Sequence, residues 1–499
     1  MRLLLGIDVG TQGTKTALYD ETGECLSEAF EASQPHRPAP GLVEENPESQ
    51  LGAALPTIRA CLKQSRRAPS DIAAVAVGGQ MAGVIGVGAD GLAVTHYDSW
   101  LDTRCAPQIA VMQRDAGDEI LEKCGNVPSF NHGPKILWWK QKQPNQYARI
   151  RAFVQPGAYV AMRLCGLDAA HAFIDDTYIH FSGFADNRRR VWDPELCRRF
   201  EIDPAKLPAI VAPESVVGGV TTAMAADSGL RTGTPVVAGC GDTSASFLAA
   251  GAASEGICID VAGTASVFGA TTYAFLADRK GRLLGCGRSV IPGLWHPYAY
   301  INGGGQNLEW FQRDILGCRM DLAALDAEAA DSTHDSYLPF FVPHLGGRVS
   351  PAWPDLRGGW VNVSWDAKPC ALYRSILESV ALEYALYRNA LVAAIPGFVV
   401  RELRVTGGGE KSRVWNQLKA DRLQARVVSI ARSGGAPMGL ALLAGRGAGV
   451  FADLAATVDK WVGLGAVFAP DVTAGAVSDL RARRYGALLN SLHQWSGGS

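Results

Sequence analysis

Leu3-Leu4-Leu5-Gly6-Ile7-Asp8-Val9-Gly10-Thr11 near the start of the chain and Ile257-Cys258-Ile259-Asp260-Val261-Ala262-Gly263-Thr264 near its middle are two versions of one pattern. Each is a run of apolar, partly β-branched residues suited to a buried strand, followed by a carboxylate and a Gly-Thr turn. Glycine removes the Cβ that would block close approach, so the backbone amides of such a turn can face an anion, and the threonine hydroxyl adds a donor. The repeat predicts a duplicated domain, and two such loops predict a grip on one polyphosphate. A third turn, Val405-Thr406-Gly407-Gly408-Gly409, runs into a helical pattern. The pattern is neither Gly-x-x-x-x-Gly-Lys-Ser/Thr nor a Gly-x-Gly-x-x-Gly turn into a crossover helix, which argues against P-loop and Rossmann folds.

Outward from the first turn, residues 14–19 read as a second strand, Asp20-Glu21-Thr22-Gly23 as a turn, and the run from Cys25 as a third strand. The opening is therefore a β-meander. Asn46-Pro47-Glu48 is a helix start, and Leu51, Leu55, Ile58 and Leu62 follow at helical spacing. Residues 72–77 form a buried strand that ends at Gly78-Gly79-Gln80-Met81, and the stretch from Gly233 to Asp242 delivers a carboxylate to the mouth of a helix over 244–250. The strand pattern restarts at Ile257, so the boundary falls beside this helix, with domains over 1–244 and 245–499 and an α/β class throughout.

The chain has 499 residues, 47% hydrophobic and 19% charged, with no disordered tract built from its 56 Gly and 26 Pro. A formal net charge of -2 provides no basic field for nucleic acid or anionic lipid. Eleven cysteines with no Cys-x-x-Cys pair argue against a disulfide framework and a structural zinc site, and fit a reducing cytoplasm. The nine histidines form no metal-binding helix motif, the run Arg188-Arg189-Arg190 reads as a solvated turn, and Asp8 interrupts the only apolar run at the start. No transmembrane stretch is expected.

Asp8 ends a buried strand, where a carboxylate is costly unless it is solvated, hydrogen-bonded or facing a cation, and Mg2+ bridged to phosphate oxygens is the economical partner. Asp260 is offset by one residue from that spacing and is either a second acid near the metal or a turn carboxylate. Asp242 sits at a strand end and a helix N-terminus beside Gly241, where the helix dipole keeps it ionised and able to accept a proton; a plain N-cap is the competing role.

These residues, in this order, resemble the FGGY family of carbohydrate kinases, within the superfamily that also contains actin, hexokinase and the chaperone ATPases. Gly6-Ile7-Asp8-Val9-Gly10-Thr11-Gln12-Gly13-Thr14-Lys15 and Ala262-Gly263-Thr264-Ala265-Ser266 are similar to the family's two phosphate motifs. Gly407-Gly408-Gly409-Glu410-Lys411-Ser412, with Trp415-Asn416-Gln417, resembles its adenosine motif, and Pro134-Lys135-Ile136-Leu137-Trp138 its Pro-Lys-Leu-Leu-Trp segment. Xylulokinases are nearest: Gly79-Gln80-Met81-Ala82-Gly83 aligns with their Gly-Gln-Met-His-Gly, Trp100-Leu101-Asp102-Thr103-Arg104 with Trp-Asn-Asp-Gly-Arg, and Gly241-Asp242-Thr243 with Gly-Asp-Asn. Ala82 and Thr243 depart from that pattern, and Phe173-Ile174-Asp175-Asp176-Thr177-Tyr178 stands where the family has a small Ser/Asp-rich stretch.

The resemblance implies two ribonuclease-H-like, actin-like ATPase domains flanking a central cleft, with ATP and Mg2+ as cofactors and a small sugar or polyol as acceptor. It implies Asp242 as the general base, Asp8 at the metal, and nucleotide contacts at Thr11, Gln12, Lys15, Gly263, Thr264, Gln306, Gly408, Gly409, Ser412 and Asn416. Gln80, Met81, Ala82, Asp102, Arg104 and Thr243 would line the acceptor, although Asp102 and Arg104 could equally form a structural ion pair. Neither nucleic acid nor membrane is expected as a partner, and the resemblance leaves room for a homodimer. An actin-like or chaperone-like nucleotide switch shares the phosphate loops but gives no purpose to Asp242 beside a polyol rim.

Overall fold

The computed structural model describes residues 2–330, 338–432, 434–471, 473 and 475–497. The chain forms two compact units, one of Met1–Ala253 with Cys286–Trp295 and Gly434–Trp461, the other of Ser254–Gly285, His296–Ser433 and Val462–Ser499. The boundary expected between 244 and 245 falls inside the helix Asp242–Ala249, which stays with the first unit because it packs on the helix Gly435–Gly447 of that unit.

The first unit is organised on six strands: β1 (Leu3–Val9), β2 (Gly13–Asp20), β3 (Cys25–Ala32), β4 (Ile72–Gly79), β5 (Val216–Gly219) and β6 (Pro235–Val237). They lie side by side in the order β5-β6-β4-β1-β2-β3. β1 and β2 are antiparallel, as the expected meander requires, while β1, β4 and β6 run parallel and β5 closes the edge antiparallel. Parallel strands are covered on both faces, so β4 reads Ile-Ala-Ala-Val-Ala-Val-Gly-Gly with almost every residue buried. One face carries the helix Pro47–Ser65, whose Asn46 side chain accepts from the Glu48 amide at 3.1 Å and whose Leu51, Ala54, Ile58 and Leu62 join the core, with Leu55 packed against it. Gly435–Gly447 packs against β1, and Trp461 returns to stack on Tyr19 at 5.7 Å.

The second unit repeats this plan with β7 (Ile257–Ala262), β8 (Ser266–Ala270), β9 (Trp295–Ile301), β10 (Glu402–Thr406), β11 (Arg426–Arg432) and β12 (Gly463–Phe468). Its sheet contains these strands in the order β9-β8-β7-β10-β11-β12. β7 is antiparallel to β8 and parallel to β10, β10 is parallel to β11, and β12 is antiparallel to β11. In position and direction these six strands match those of the first unit, so the duplication read from the two glycine turns extends to them, but the antiparallel edge strand precedes its neighbour in the first unit (β5 before β6) and follows it in the second (β12 after β11).

All eleven cysteines are free thiols, and among the described residues no helix is long and apolar enough to cross a membrane. The three arginines at 188–190 are exposed, with Arg188 on Glu122 at 2.9 Å and Arg190 on Asp176 at 2.7 Å.

Gly6 in β1 marks a close approach: a Cβ there would collide with the Pro437 carbonyl and meet the Ala441 amide at 3.0 Å, both rigid backbone. Gly52, in the 47–65 helix, is exposed with nothing within 4 Å of an added Cβ. Gly6→Ala should therefore destabilise the protein by about 1–3 kcal/mol or more through overpacking. Gly52→Ala should stabilise it by about 0.5–1 kcal/mol through the helix preference of alanine. Urea midpoints of the two variants against wild type check both signs.

Candidate active site

β1 ends by placing Asp8 across from Lys15 on β2 and Gly78 on β4. The loop that follows is tied at both ends: the Gly10 amide donates to the Gly13 carbonyl at 3.0 Å, and Ser33 at the end of β3 donates from its hydroxyl to the Thr11 carbonyl at 2.7 Å and from its amide to the Gln12 carbonyl at 3.0 Å. Glycine is required at 13 because a Cβ would run into the Glu31 carbonyl and the Phe30 ring. Lys15, expected at the nucleotide, carries its ammonium 2.8 Å from Glu28 on β3.

A chain of side-chain hydrogen bonds ties this loop to the end of β4. Trp100 Nε1 donates to Thr11 Oγ1 at 2.9 Å, Thr11 Oγ1 donates to Gln80 Oε1 at 3.3 Å, and Gln80 Nε2 donates to Glu45 Oε1 at 3.1 Å. Glu45 accepts a second bond from Gln50 Nε2 at 3.1 Å. Burial pushes the Glu45 carboxyl up, and the two amides oppose it. Gln80 is buried, so its first role is to hold Thr11 in place. Glu45 and Trp100 were not among the expected site residues. The signal for Glu45 was an acid directly before the Asn-Pro helix start, where the segment pairs with Tyr97.

Met81 and Ala82 follow at the partly exposed turn, with Ala82 at φ 64°, a left-handed conformation that is strained for a residue with a Cβ. Asp102 and Arg104 form the structural ion pair left open by the sequence. Arg104 holds Asp102 with two nitrogens at 2.9 and 2.7 Å and Glu44 at 2.6 Å, while the Val43 amide donates to Asp102 Oδ2 at 2.7 Å. Asp102 is fully buried and its carboxyl is held below the usual range by Arg104 and backbone amides against the cost of burial. Both side chains, expected at the acceptor, are engaged with each other and with Glu44. Lys135 of the Pro-Lys-Ile-Leu-Trp segment is buried too, donating to the carbonyls of Ser99 and Asp102 at 2.9 Å each.

Asp242 opens the helix Asp242–Ala249, but the capping position belongs to Gly241, which has no side chain to use. Asp242 Oδ1 accepts from the Thr243 amide at 2.5 Å and the Thr243 hydroxyl at 3.1 Å. The plain N-cap role therefore does not describe it. Burial pushes the Asp242 carboxyl up, with the Thr243 bonds opposing. Burial and the nearby charge of Asp242 push Asp8 up as well, with Lys15 opposing. The structure thus brings Asp8 and Asp242 together at one end of the sheet, where Gly79 at the end of β4 pairs with Gly241. Asp8 Oδ1 is buried without a hydrogen-bond partner, as an oxygen reserved for a cation would be.

In the second unit the Gly263-Thr264 turn is braced from behind: the amides of Gly305 and Gln306 donate to the Gly263 carbonyl at 2.9 Å and the Thr264 carbonyl at 3.1 Å. Gly407, at φ 87°, and Gly408 lie against the Ala262 carbonyl, and a Cβ on Gly409 would meet the Ala262 Cβ at 2.5 Å. Ser412 caps the helix Arg413–Leu423 by accepting from the Trp415 amide at 3.2 Å, and buried Asn416 donates to the Glu410 carbonyl at 3.0 Å. The Gly263-Thr264 turn and the triple-glycine turn are therefore one packed assembly. Asp260 has a separate life: Lys419 Nζ lies 2.6 Å from its Oδ2, short of a directed hydrogen bond, and Tyr384 donates to its Oδ1 at 2.6 Å, all buried. It is a buried structural carboxylate with its charge already matched.

Each unit carries a mixed sheet with a Gly-Thr turn after its central strand, the fold of the actin-like ATPase type. The model of the FGGY carbohydrate kinases' N-terminal domain matches residues 3–249, and that of their C-terminal domain matches residues 260–448. The chain belongs to the FGGY family of carbohydrate kinases. It is 26% identical over 481 residues to the xylulose kinase of Bacillus subtilis (strain 168), covering 94% of this chain and 93% of that one. It is 25% identical to the autoinducer-2 kinase of Enterobacter sp. (strain 638), covering 94% and 91%. Among solved structures, the xylulose kinase from Rhodospirillum rubrum superposes with a TM-score of 0.91 at 25% identity, covering 99% of this chain and 100% of that one.

The acid pair also has a measurable thermodynamic cost. A carboxyl whose folded pKa is raised favours the protonated fold, so stability falls as pH rises above the unfolded value of about 4 and levels off above the folded value. Asp8→Asn should therefore raise stability at pH 7, without divalent cations, by about 1–3 kcal/mol, and the gain should vanish near pH 4. Thermal melts of both proteins at the two pH values check this.

Proposed function

We propose that the enzyme transfers the γ-phosphoryl group of ATP to a hydroxyl of a small ketose or polyol, with Asp242 as general base. The observation that carries this reading is the pairing of Asp242 with Asp8 at one sheet end, one acid bonded to Thr243 and the other holding an unpartnered oxygen. Asp242 accepts the acceptor's proton as its oxygen attacks in line, and burial with raised basicity keeps the base close to the working pH. Asp8 would hold Mg2+, which supplies charge neutralisation at the phosphoryl oxygens when bound. The loop at Thr11 and Gln12, and in the second unit Gly263, Thr264, Gln306, Gly408, Gly409, Ser412 and Asn416, are assigned to the nucleotide.

The acceptor rim in this reading is Met81, Ala82 and Thr243, with Gln80 and Trp100 fixing it to the phosphate loop. Losing the imidazole that xylulokinases carry at the Ala82 position removes a hydrogen bond worth about 0.5–1.5 kcal/mol and leaves room for a different substituent. D-xylulose is therefore expected not to be the best acceptor. Values of kcat/KM over ketopentoses, ketohexoses and polyols decide this, and D-xylulose leading by tenfold with no gain from Ala82→His would overturn it. ADP release that is independent of every acceptor would favour the nucleotide-switch reading instead.

Asp242→Asn should leave the fold and nucleotide affinity intact and lower turnover about 10²- to 10⁴-fold, the usual range for a general base. Because the Asp242 carboxyl is raised by burial, the acid limb of kcat should lie above the ordinary aspartate range of about 4, with activity lost as pH falls through it. Steady-state rates across pH 4–9 for wild type, and at the optimum for the variant, check both statements.

A further inference from the structure

The segment Phe173-Ile174-Asp175-Asp176-Thr177-Tyr178 has no role in the site described so far, yet it is buried almost throughout. It reaches both sides of the Asp242 region. Thr177 Oγ1 accepts the Gly241 amide at 3.1 Å, and the Tyr178 hydroxyl donates to the Gly79 carbonyl at 2.8 Å. Gly79, the last residue of β4, pairs with Gly241 beyond the end of β6, so the segment clamps the pairing that sets Gln80-Met81 beside Asp242.

Thr177 is oriented for this task. Its hydroxyl proton goes to Asp175 Oδ1 at 2.5 Å, and its own amide donates to the same oxygen at 3.0 Å. With its one proton committed, the hydroxyl can only accept from Gly241. Gly241 has little freedom of its own to choose a position: Gly239 takes φ 72° under the Val77 carbonyl, and the Met81 side chain lies 2.5 Å from where a Cβ on Gly241 would be. The hydrogen bond from the Gly241 amide to Thr177 fixes the Cys240–Gly241 peptide, and so where Gly241 sets down the first residue of the helix, Asp242.

We infer that Thr177, held by Asp175, is a positioning residue for phosphoryl transfer, acting on Asp242 through the Gly241 amide. The inference rests on the kinase reading above. A positioning residue is required while the base works and is redundant once the base is gone, whereas a merely structural residue costs the same in either background.

The test is a double-mutant cycle with Thr177→Val, which is close in shape and lacks the hydroxyl, and Asp242→Asn, read as acceptor-dependent ADP release with the best acceptor of the ketose and polyol panel. Thr177→Val alone should lower kcat about 10- to 100-fold, with acceptor and nucleotide KM within about threefold of wild type. Thr177→Ser, which keeps the hydroxyl, should stay within about threefold of wild type. In the Asp242→Asn background, Thr177→Val should cost less than about twofold. Full additivity, a change in KM with kcat preserved, or a serine variant as impaired as valine would each overturn the inference while leaving the kinase reading standing. If Thr177→Val does not fold, Thr177→Ala enters the same cycle with the same criteria. Wild type that phosphorylates no acceptor would overturn the kinase reading and this inference together.

Discussion

Two carboxylates, Asp8 and Asp242, share one end of a sheet, and most of the first unit can be understood as support for that costly juxtaposition. Burial and mutual repulsion push Asp8 up, and Lys15 offsets only part of it. A like-charged pair of this kind persists only when the surroundings over-determine it. The surroundings do so by backbone geometry: β1 and β6 flank β4, glycines at 78, 79, 239 and 241 let the strand ends approach, and the Gly79–Gly241 pairing closes the end of the sheet. The unpartnered Asp8 Oδ1 is the residual imbalance, of the kind a cation relieves.

Around this pair, the polar groups divide into those that are spent and those that are held ready. The Asp102–Arg104–Glu44 cluster is spent: one guanidinium holds both carboxylates and Asp102 also takes the Val43 amide, so it braces the loop around Leu101. The Trp100–Thr11–Gln80–Glu45–Gln50 chain is different, because it connects the phosphate loop to the turn at Met81 and Ala82 through bonds between side chains alone. Such a chain transmits position from one loop to the other without filling the space between them. The two strand acids, Asp8 and Asp260, which the sequence sets one residue out of step, end in opposite conditions. Inside the second unit the Lys419 charge faces Asp260 Oδ2 and Tyr384 donates to its Oδ1, so duplication kept the strand while the chemistry diverged.

The duplicated fold was legible because buried parallel strands demand apolar, β-branched runs and because glycine turns have few substitutes. The meander, the Asn46-capped helix and the strand leading to Asp242 all follow from local rules that act over a few residues. Sequence position alone, however, assigned the 434–461 segment to the second domain, whereas its apolar helix packs on β1 and its Trp461 stacks on Tyr19. No local pattern signals that return, since a buried helix face does not specify which sheet it covers.

What the sequence by itself determined is the set of turns, the opening meander, and the identities of Asp8 and Asp242 as acids at strand ends. Those properties are local: each depends on the preference of a few residues for a strand, a cap or a positive φ. What only the tertiary structure decided is which polar side chain meets which. The sequence could not show that Arg104 would be consumed by Asp102 and Glu44, that Lys419 would neutralise Asp260, or that Thr177 would take the amide before Asp242. Those partners lie 60, 159 and 64 residues apart, respectively, for Arg104–Glu44, Lys419–Asp260 and Thr177–Gly241, and buried polar groups pair by proximity in space under the penalty for leaving any of them unmatched.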